Sequence, residues 1–157
     1  MNVEEVLEGL LLAFDDLAED NRIAPVIVEG EKDVASLRKL GVEGEILRVN
    51  SGLALFNFCE EVSRRHKSAI VLTDWDARGG TLCRRLREGL EANGVKPDLE
   101  HRQRIAVLCR KDVKDVEGLP NYIITLTRKT KALRNVGMRD RTNESLRRAR
   151  IARSRKE

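Results

Sequence analysis

The sequence predicts an α/β protein with a mainly parallel four-stranded sheet flanked by helices. Short apolar runs rich in β-branched residues alternate with longer segments whose apolar residues recur at helical spacing. Strands that alternate with helices are joined by right-handed crossovers, which makes the sheet mainly parallel. Two of the apolar runs end in acidic residues followed by glycine, near Glu29 and near Asp74. Such residues lie at the carboxyl edge of the sheet, where open α/β folds bind ligands.

Length and composition support a single soluble domain. The 157 residues are sufficient for one well-buried core, and 41% of them are hydrophobic while 36% are charged. No apolar run approaches the roughly 20 residues that a membrane-spanning helix needs, so no membrane partner is expected. The chain starts with two acids and no base in its first five residues, so we expect no secretory signal and a cytoplasmic location.

Cysteine and histidine usage predicts neither a zinc site nor a disulfide. Cys59, Cys83 and Cys109 are far apart and form no CxxC pair or cluster with histidine, so we expect buried free thiols. His66 and His101 have polar neighbours in the sequence and are expected at the surface.

The first part of the chain predicts a helix, a strand and a second helix. Apolar residues recur at helical spacing over residues 3–19, which predicts an amphipathic helix in an N-terminal segment, 1–22, that packs on the body. Residues 26–28 form a short buried strand. Residues 31–40 then form a helix that ends at Gly41.

The remaining elements continue this alternation. In order they are predicted as a strand over 45–49, a turn at Asn50-Ser51-Gly52, a helix over 53–66, a strand over 69–73, a helix over 80–93 and a fourth strand near 104–108. A charged loop follows at 110–120. The last apolar run, 122–126, is open between an edge strand and the start of a helix.

Charge is distributed unevenly along the chain. From Arg128 onward there are twelve basic and three acidic residues, a net charge of +9; because the whole chain carries +4, residues 1–127 carry −5. Residues 128–157 are therefore predicted as a basic C-terminal tail, with Arg147 and Arg148 among its contacts to a polyanion. Nucleic acid is the favoured partner, and a solvated tail with no partner is the alternative.

Three acids are predicted to lie together at the carboxyl edge of the sheet. Alternate side chains of an extended chain share a face, so Asp74 and Asp76 point the same way while Trp75 turns aside to pack on the sheet. Glu29 follows the neighbouring strand. Carboxylate oxygens side by side suit Mg²⁺, which usually takes one or two protein carboxylates together with water and substrate phosphate. The alternative is that these acids are loop residues or helix caps.

Two motifs resemble those of the Toprim domain, the metal-binding module of type IA and II topoisomerases, bacterial-type primases, OLD-family nucleases, RecR proteins and a ribosomal-RNA maturase ribonuclease. The first is Val28-Glu29-Gly30-Glu-Lys-Asp33, and the second is Thr73-Asp74-Trp-Asp76-Ala-Arg-Gly79. The resemblance covers roughly residues 25–119 and implies a Rossmann-like Toprim domain over 23–127. Asn50-Ser51-Gly52 fits a turn between the two motifs.

The resemblance implies roles for individual residues. Glu29 would handle the proton of a nucleotidyl or hydrolytic transfer and contact the metal, and Asp74 and Asp76 would bind Mg²⁺, with Mn²⁺ as an alternative. Gly30 and Asp33 would support the site. The residues expected to contact phosphate are Arg78 and, through their amides at a helix N-terminus, Gly79 and Gly80.

The chain resembles a small stand-alone Toprim protein. Arg110-Lys111 and the later Val116-Glu-Gly118 resemble a basic and an acidic element of the ribosomal-RNA maturase. We therefore expect a Mg²⁺-dependent nuclease or phosphotransferase acting on structured nucleic acid, with RNA slightly favoured over DNA. Two alternatives remain: a non-catalytic nucleic-acid-binding or assembly module of the same fold, and a receiver-like phosphoryl-transfer domain.

Overall fold

The computed structural model of the protein describes residues 1–49, 54–109 and 111–155. The predicted turn at Asn50-Ser51-Gly52 and the predicted nucleic-acid contact Arg110 lie outside these residues. In chain order the elements are α1 (Val3–Asp20), β1 (Val26–Val28), α2 (Glu31–Lys39), β2 (Ile46–Arg48), α3 (Leu55–Arg65), β3 (Ser68–Val71), α4 (Ala77–Ala92), β4 (Lys96–Asp98), α5 (Glu100–Cys109) and α6 (Leu119–Ser154).

The four strands form one parallel sheet in the order β2-β1-β3-β4. In β1, Val26 lies opposite Ile46 of β2 on one side and opposite Ile70 of β3 on the other. The edge strand β4 pairs with β3. The prediction of an α/β fold with a four-stranded parallel sheet is therefore confirmed. Because β1 and β3 are central neighbours, the residues that follow them reach the same edge of the sheet.

Alternate residues of the central strands face two separate hydrophobic layers. Val26 and Val28 of β1 pack in one layer with apolar side chains of α1, α2, α5 and α6. Ile27, between them, packs in the other layer with side chains of α3 and α4. Helices thus cover both faces of the sheet, which is why its central strands are uninterrupted apolar runs.

Helix α1 packs along the first of these layers and is fixed at both ends. The residues of its stripe with almost no exposure are Leu10, Ala13, Phe14 and Leu17. The side chain of Asn2 caps the first turn, because its oxygen accepts a hydrogen bond from the amide of Glu5 at 2.9 Å. Just after the helix, the side-chain nitrogen of Asn21 donates to the carbonyl of Glu45 at 3.0 Å, which ties the helix to the start of β2.

The prediction of a fourth strand near residues 104–108 is wrong. These residues belong to α5, where Ile105 and Cys109 are buried while Val107 is exposed, which is the spacing of a helix. The fourth strand is instead Lys96–Asp98, a polar segment with a proline at its centre. An edge strand tolerates proline, and the lack of a hydrophobic pattern explains why the sequence did not reveal it.

Helix α6 contains the run 122–126, whose structure the sequence left open. It also crosses the predicted domain boundary between residues 127 and 128 without interruption. Its buried residues extend as far as Thr130, and beyond this point nearly every residue is exposed. From residue 131 to its end the helix extends about 36 Å, at roughly 1.5 Å per residue. The basic segment is therefore helical through Ser154.

The predicted helix end at Gly41 and the predicted free thiols are confirmed. Gly41 and Gly94 follow α2 and α4 with φ angles of 91° and 76°, the left-handed conformation that closes a helix. All three cysteines are free and buried. In the three described ranges, no helix combines the length and apolar character needed to cross a membrane.

Candidate active site

The chain segments that follow β1 and β3 meet at the carboxyl edge of the sheet. The backbone amide of Asp74 donates a hydrogen bond to Oε1 of Glu29 at 3.3 Å, which joins two acids that lie 45 residues apart in the sequence. The structure therefore brings these two predicted site residues together. Both residues also line one cavity.

This cavity has a volume of about 1020 Å³ and contains groups of both charges. Its acidic residues are Glu29, Glu31, Asp33, Asp74 and Glu117, and its basic residues are Lys32, Arg78 and Arg85. Lys32 Nζ lies 4.0 Å from Glu117 Oε1. Carboxylates for a cation beside lysine and arginine for phosphate are the groups that a phosphoryl-transfer site requires.

The carboxyl group of Asp74 has a strongly perturbed pKa. Burial is the main cause, and it raises the pKa of Asp74 from 3.8 to about 7. The hydrogen bond that its Oδ1 accepts from the amide of Val116, at 2.9 Å, acts in the opposite direction. The negative charges of Glu29, Asp33 and Asp115 add to the upward shift. A cation at this carboxylate would relieve both causes, since it compensates for lost hydration and for repulsion.

Burial also raises the pKa of Glu29 above its ordinary value. The hydrogen bond from the Asp74 amide and the charge of Arg78 lower it, whereas the charges of Asp33 and Asp76 raise it further. A carboxylate with a raised pKa is better suited than an ordinary one to accept and return a proton.

Gly30 and Asp33 fix the start of α2 beside Glu29. Asp33 is buried in the first turn of the helix, and its Oδ2 accepts a hydrogen bond from the amide of Gly30 at 3.1 Å. Burial raises the pKa of Asp33, and the charges of Glu117 and Asp115 contribute in the same direction. Both residues line the cavity, so their geometry is consistent with a supporting role.

Asp76 is the N-cap of α4 and does not line the cavity. Its Oδ1 accepts a hydrogen bond from the amide of Gly79 at 2.6 Å, and its backbone carbonyl accepts one from the amide of Gly80 at 2.9 Å. The amides of both glycines are therefore engaged within the helix start instead of facing a ligand. Of the three residues expected to contact phosphate there, Arg78 is the one that lines the cavity.

Gly79 is needed for the close approach of α4 to the Asp74 peptide. A Cβ atom at this position would lie 1.9 Å from the backbone oxygen of Asp74, a distance that no side chain tolerates. The hydroxyl of Thr73 adds a hydrogen bond to the carbonyl of Gly79 at 2.9 Å. The glycine thus serves packing at the site.

Two further elements hold the Asp74 segment, and sequence reasoning missed both. Arg102 of α5 donates from Nε to the carbonyl of Thr73 at 3.0 Å and from Nη2 to that of Asp74 at 2.7 Å. The loop before α6 is joined to Trp75, whose amide donates to the carbonyl of Lys114 at 3.0 Å and whose indole Nε1 donates to that of Val113 at 2.7 Å. No local pattern in the sequence marks these long-range partners.

The donor groups of the cavity suit a hard cation such as Mg²⁺, because Glu29 and Asp74 both offer carboxylate oxygens there. In the described part of the chain, the only group of three histidine, cysteine or acidic residues whose ligand atoms all lie within 4.8 Å of one another is Asp20, Asp98 and His101. Glu29, Asp74 and Asp76 are therefore not drawn together as a triad. Proteins usually supply one or two carboxylates to a Mg²⁺ site, and Glu29 and Asp74 are two such groups.

The other predicted nucleic-acid contacts among the described residues lie outside the cavity. Lys111 is exposed in the loop after α5. Arg147 and Arg148 lie on the exposed part of α6, where Nη2 of Arg148 is 2.7 Å from Oε1 of Glu144.

Comparisons with known proteins place the chain among archaeal relatives. A UPF0292 protein of Methanosarcina barkeri is 39% identical over 126 residues, which cover 80% of this chain and 86% of that protein. A UPF0292 protein of Methanocaldococcus jannaschii is 34% identical over 123 residues, covering 78% of this chain and 96% of its own. No protein-family model matches the chain.

One solved structure, a protein from Aquifex aeolicus, matches the fold with a TM-score of 0.57. It is 21% identical, and the match covers 74% of this chain and 97% of that one. At this identity the likeness shows the α/β fold alone.

Proposed function

The chain belongs to the UPF0292 family, and we propose that it is a Toprim-type, Mg²⁺-dependent nuclease or phosphotransferase that acts on structured nucleic acid, with RNA slightly favoured over DNA. One observation carries this proposal. Glu29 and Asp74 are joined by a hydrogen bond, and burial raises the pKa of both carboxyls. They lie in a cavity that also contains Arg78 and Lys32. Perturbed carboxyls beside phosphate-binding cations are typical of active sites for phosphoryl transfer.

In this proposal Glu29 and Asp74 would hold Mg²⁺, or Mn²⁺ in its place, and Asp76 would contribute negative charge from the helix cap. Bound Mg²⁺ would neutralise charge on a phosphoryl group. Glu29 would accept the proton of the attacking hydroxyl, and the hydrogen bond from the Asp74 amide to its Oε1 fixes its position for this role. Arg78 orients a phosphate of the substrate.

The basic part of α6 would supply affinity for the nucleic-acid backbone. Its residues beyond Thr130 are almost all exposed, and those from Arg128 onward carry a net charge of +9 against −5 on the rest of the chain. Contacts of lysine and arginine with phosphate give binding that does not depend on base sequence and weakens with salt. In this proposal the reaction takes place in the cavity, and the exposed part of α6 binds the nucleic-acid backbone.

A cleavage assay tests the proposal. Structured RNA, single-stranded DNA and duplex DNA are incubated with the protein, with and without Mg²⁺, and the products are resolved on denaturing gels. Glu29→Gln and Asp74→Asn preserve the shape of each side chain and the acceptor oxygens used at 3.3 Å and 2.9 Å. Glu91→Gln, at an exposed residue of α4 outside the cavity, is the matched control.

We expect Mg²⁺-dependent cleavage by wild type and Glu91→Gln, and loss of cleavage in the two site variants. Cleavage that survives in both site variants would overturn the assignment of Glu29 and Asp74.

A second candidate function is a non-catalytic nucleic-acid-binding or assembly module. The observation that favours it is the engagement of Asp76, Gly79 and Gly80 in capping α4, which leaves fewer groups for chemistry. If wild type binds these substrates but cleaves none of them in Mg²⁺ or Mn²⁺, this candidate is supported and the proposed enzyme activity is excluded.

A further inference from the structure

A second group of metal-ligating side chains lies beside the edge strand β4, away from the residues of the candidate active site. Asp20 ends α1, Asp98 ends β4, and His101 is in the first turn of α5. One ligand atom from each of the three lies within 4.8 Å of the other two. None of them lines the cavity that contains Glu29 and Asp74.

His101 is the centre of this group, and the prediction that it lies at the surface is wrong. Its side chain is only 8% exposed, and its Nε2 lies 2.7 Å from Oδ2 of Asp20 and 3.7 Å from Oδ2 of Asp98. Its partner Asp20, which is itself exposed, lies 81 residues earlier in the chain, so no local pattern in the sequence indicates this contact. One imidazole nitrogen therefore faces two carboxylate oxygens, although a single N–H can donate well to only one of them.

The electrostatics of this corner favour a cation. Asp20 lies in the last turn of α1, a turn that contains no basic residue. The C-terminus of a helix carries partial negative charge, so a carboxylate there is unfavourable unless positive charge is nearby. Of the basic residues nearby, Arg104 is paired with Asp16 and Arg22 with Glu19, while Lys96 lines the cavity that Asp20 and Asp98 share.

The ligand atoms are also accessible from two sides. A cavity of about 330 Å³ is lined by Asp20 and Asp98, and another of about 280 Å³ is lined by Asp20 and His101. Glu100 lines both. Space next to three protein ligands allows a water molecule to complete the coordination of an ion.

We propose that Asp20, Asp98 and His101 form a binding site for a divalent transition-metal ion, with Zn²⁺ as its best match. An imidazole nitrogen selects Zn²⁺ and related ions over Mg²⁺ and Ca²⁺, and two carboxylates complete a three-ligand set. The alternative to a metal site is a hydrogen bond between His101 and Asp20 alone. In that arrangement Asp98 would take no part, so Asp98 distinguishes the two.

A metal ion bound by these three residues would connect three elements of the fold. It joins the end of α1 to β4 and to the first turn of α5. The next residue, Arg102, holds the carbonyl of Asp74 at 2.7 Å. A metal ion here would therefore stabilise the part of α5 that supports the active-site segment, and this inference does not depend on the reaction proposed there.

The test is Zn²⁺ titration by calorimetry of protein freed of metal with a chelator, with the visible absorption of Co²⁺ as a second probe. The variants are His101→Gln and Asp98→Asn; the latter keeps an acceptor for the amide of Glu100, which Asp98 Oδ1 binds at 3.0 Å. The controls are His66→Gln, at the other histidine of the chain, and Asp16→Asn, at a neighbouring acid.

We expect one Zn²⁺ per chain, a thermal midpoint that rises with Zn²⁺, and at least an approximately tenfold loss of affinity in His101→Gln and Asp98→Asn but in neither control. Asp74→Asn should retain Zn²⁺ binding, which separates this site from the candidate active site. Equal affinity of wild type and Asp98→Asn, or an equal loss in His66→Gln, would overturn the proposal.

Discussion

The backbone amide of Asp74 donates a hydrogen bond to Oε1 of Glu29, so the acid that follows β3 fixes the acid that follows β1. This contact is local to neighbouring strands but spans 45 residues of sequence. It brings together two carboxyls whose pKa values are both raised by burial. Substitutions at this pair should therefore change both the stability of the fold and the chemistry of the site.

The first prediction concerns pH. The pKa of Asp74 is raised from 3.8 to about 7 in the folded state, so the unfolded chain ionises first as pH rises. Ionisation of Asp74 therefore lowers the free energy of unfolding between roughly pH 4 and pH 7, and Asp74→Asn removes this contribution. We expect the variant to be more stable than wild type by on the order of 2 kcal/mol at about pH 8 and nearly equal to it at about pH 4.

Urea unfolding followed by circular dichroism at the two pH values measures this difference. Glu91→Gln, tested in parallel, controls for the loss of a carboxylate. A gain in Asp74→Asn that is the same at both pH values would contradict the prediction, because it would not arise from ionisation.

The second prediction concerns the two glycines at the start of α4. Gly79→Ala places a Cβ 1.9 Å from the backbone oxygen of Asp74, whereas the nearest atom to a Cβ at Gly80 is Nη2 of Arg102 at 3.9 Å. We expect Gly79→Ala to destabilise the protein by about 3 kcal/mol or more, since the backbone must move. Gly80→Ala should be neutral or stabilising by up to about 1 kcal/mol, since alanine favours a helix.

Thermal unfolding of the pair measures both effects with the same chemical change. A Gly79→Ala protein as stable as Gly80→Ala would show that α4 does not approach the Asp74 peptide as described.

The third prediction concerns the link between Trp75 and the loop before α6. Trp75→Phe keeps the aromatic ring packed but removes the N–H that donates to the carbonyl of Val113 at 2.7 Å. We expect a loss of about 1 kcal/mol in the free energy of unfolding, the usual contribution of one hydrogen bond. Amide hydrogen exchange should also accelerate at Val116, whose amide donates to Asp74. Unchanged exchange there would mean that the loop is held by other contacts.

The fourth prediction concerns α6. Neutralising Arg147 and Arg148 by alanine should weaken binding to structured RNA and reduce the salt dependence of the binding constant by up to about two units of slope. The matched control is Arg84→Ala with Arg87→Ala, which removes the same charge from exposed positions of α4. Fluorescence anisotropy over a range of salt concentrations provides the measurement. Equal losses for the two pairs would indicate a general charge effect instead of binding along α6.

The sequence was most informative where the signal was local. Glu29 and Asp74 each follow an apolar run directly, so their meeting at one edge of a parallel sheet was predictable. The sequence left both Asp74 and Asp76 open between metal ligand and loop residue or helix cap, and the structure shows Asp76 as the cap of α4.

The features that sequence reasoning missed depend on contacts distant in the chain. Arg102 holds the carbonyl of Asp74 from 28 residues away, and Val116 reaches the same residue from 42 residues away. The contact of His101 with Asp20 likewise spans 81 residues. The strand Lys96–Asp98 is polar because it lies at the sheet edge, so no hydrophobic period marks it.

The most direct test of the central claim is a single-turnover comparison of Glu29→Gln with Glu91→Gln on an RNA that wild type cleaves in Mg²⁺. For each variant, the cleavage rate and the dissociation constant are measured on the same RNA. We predict that Glu29→Gln cleaves at least about 100-fold more slowly, the usual loss when a general base is removed, while its affinity matches that of the control. Equal cleavage rates for the two variants would contradict the assignment of Glu29 and the active site proposed around it.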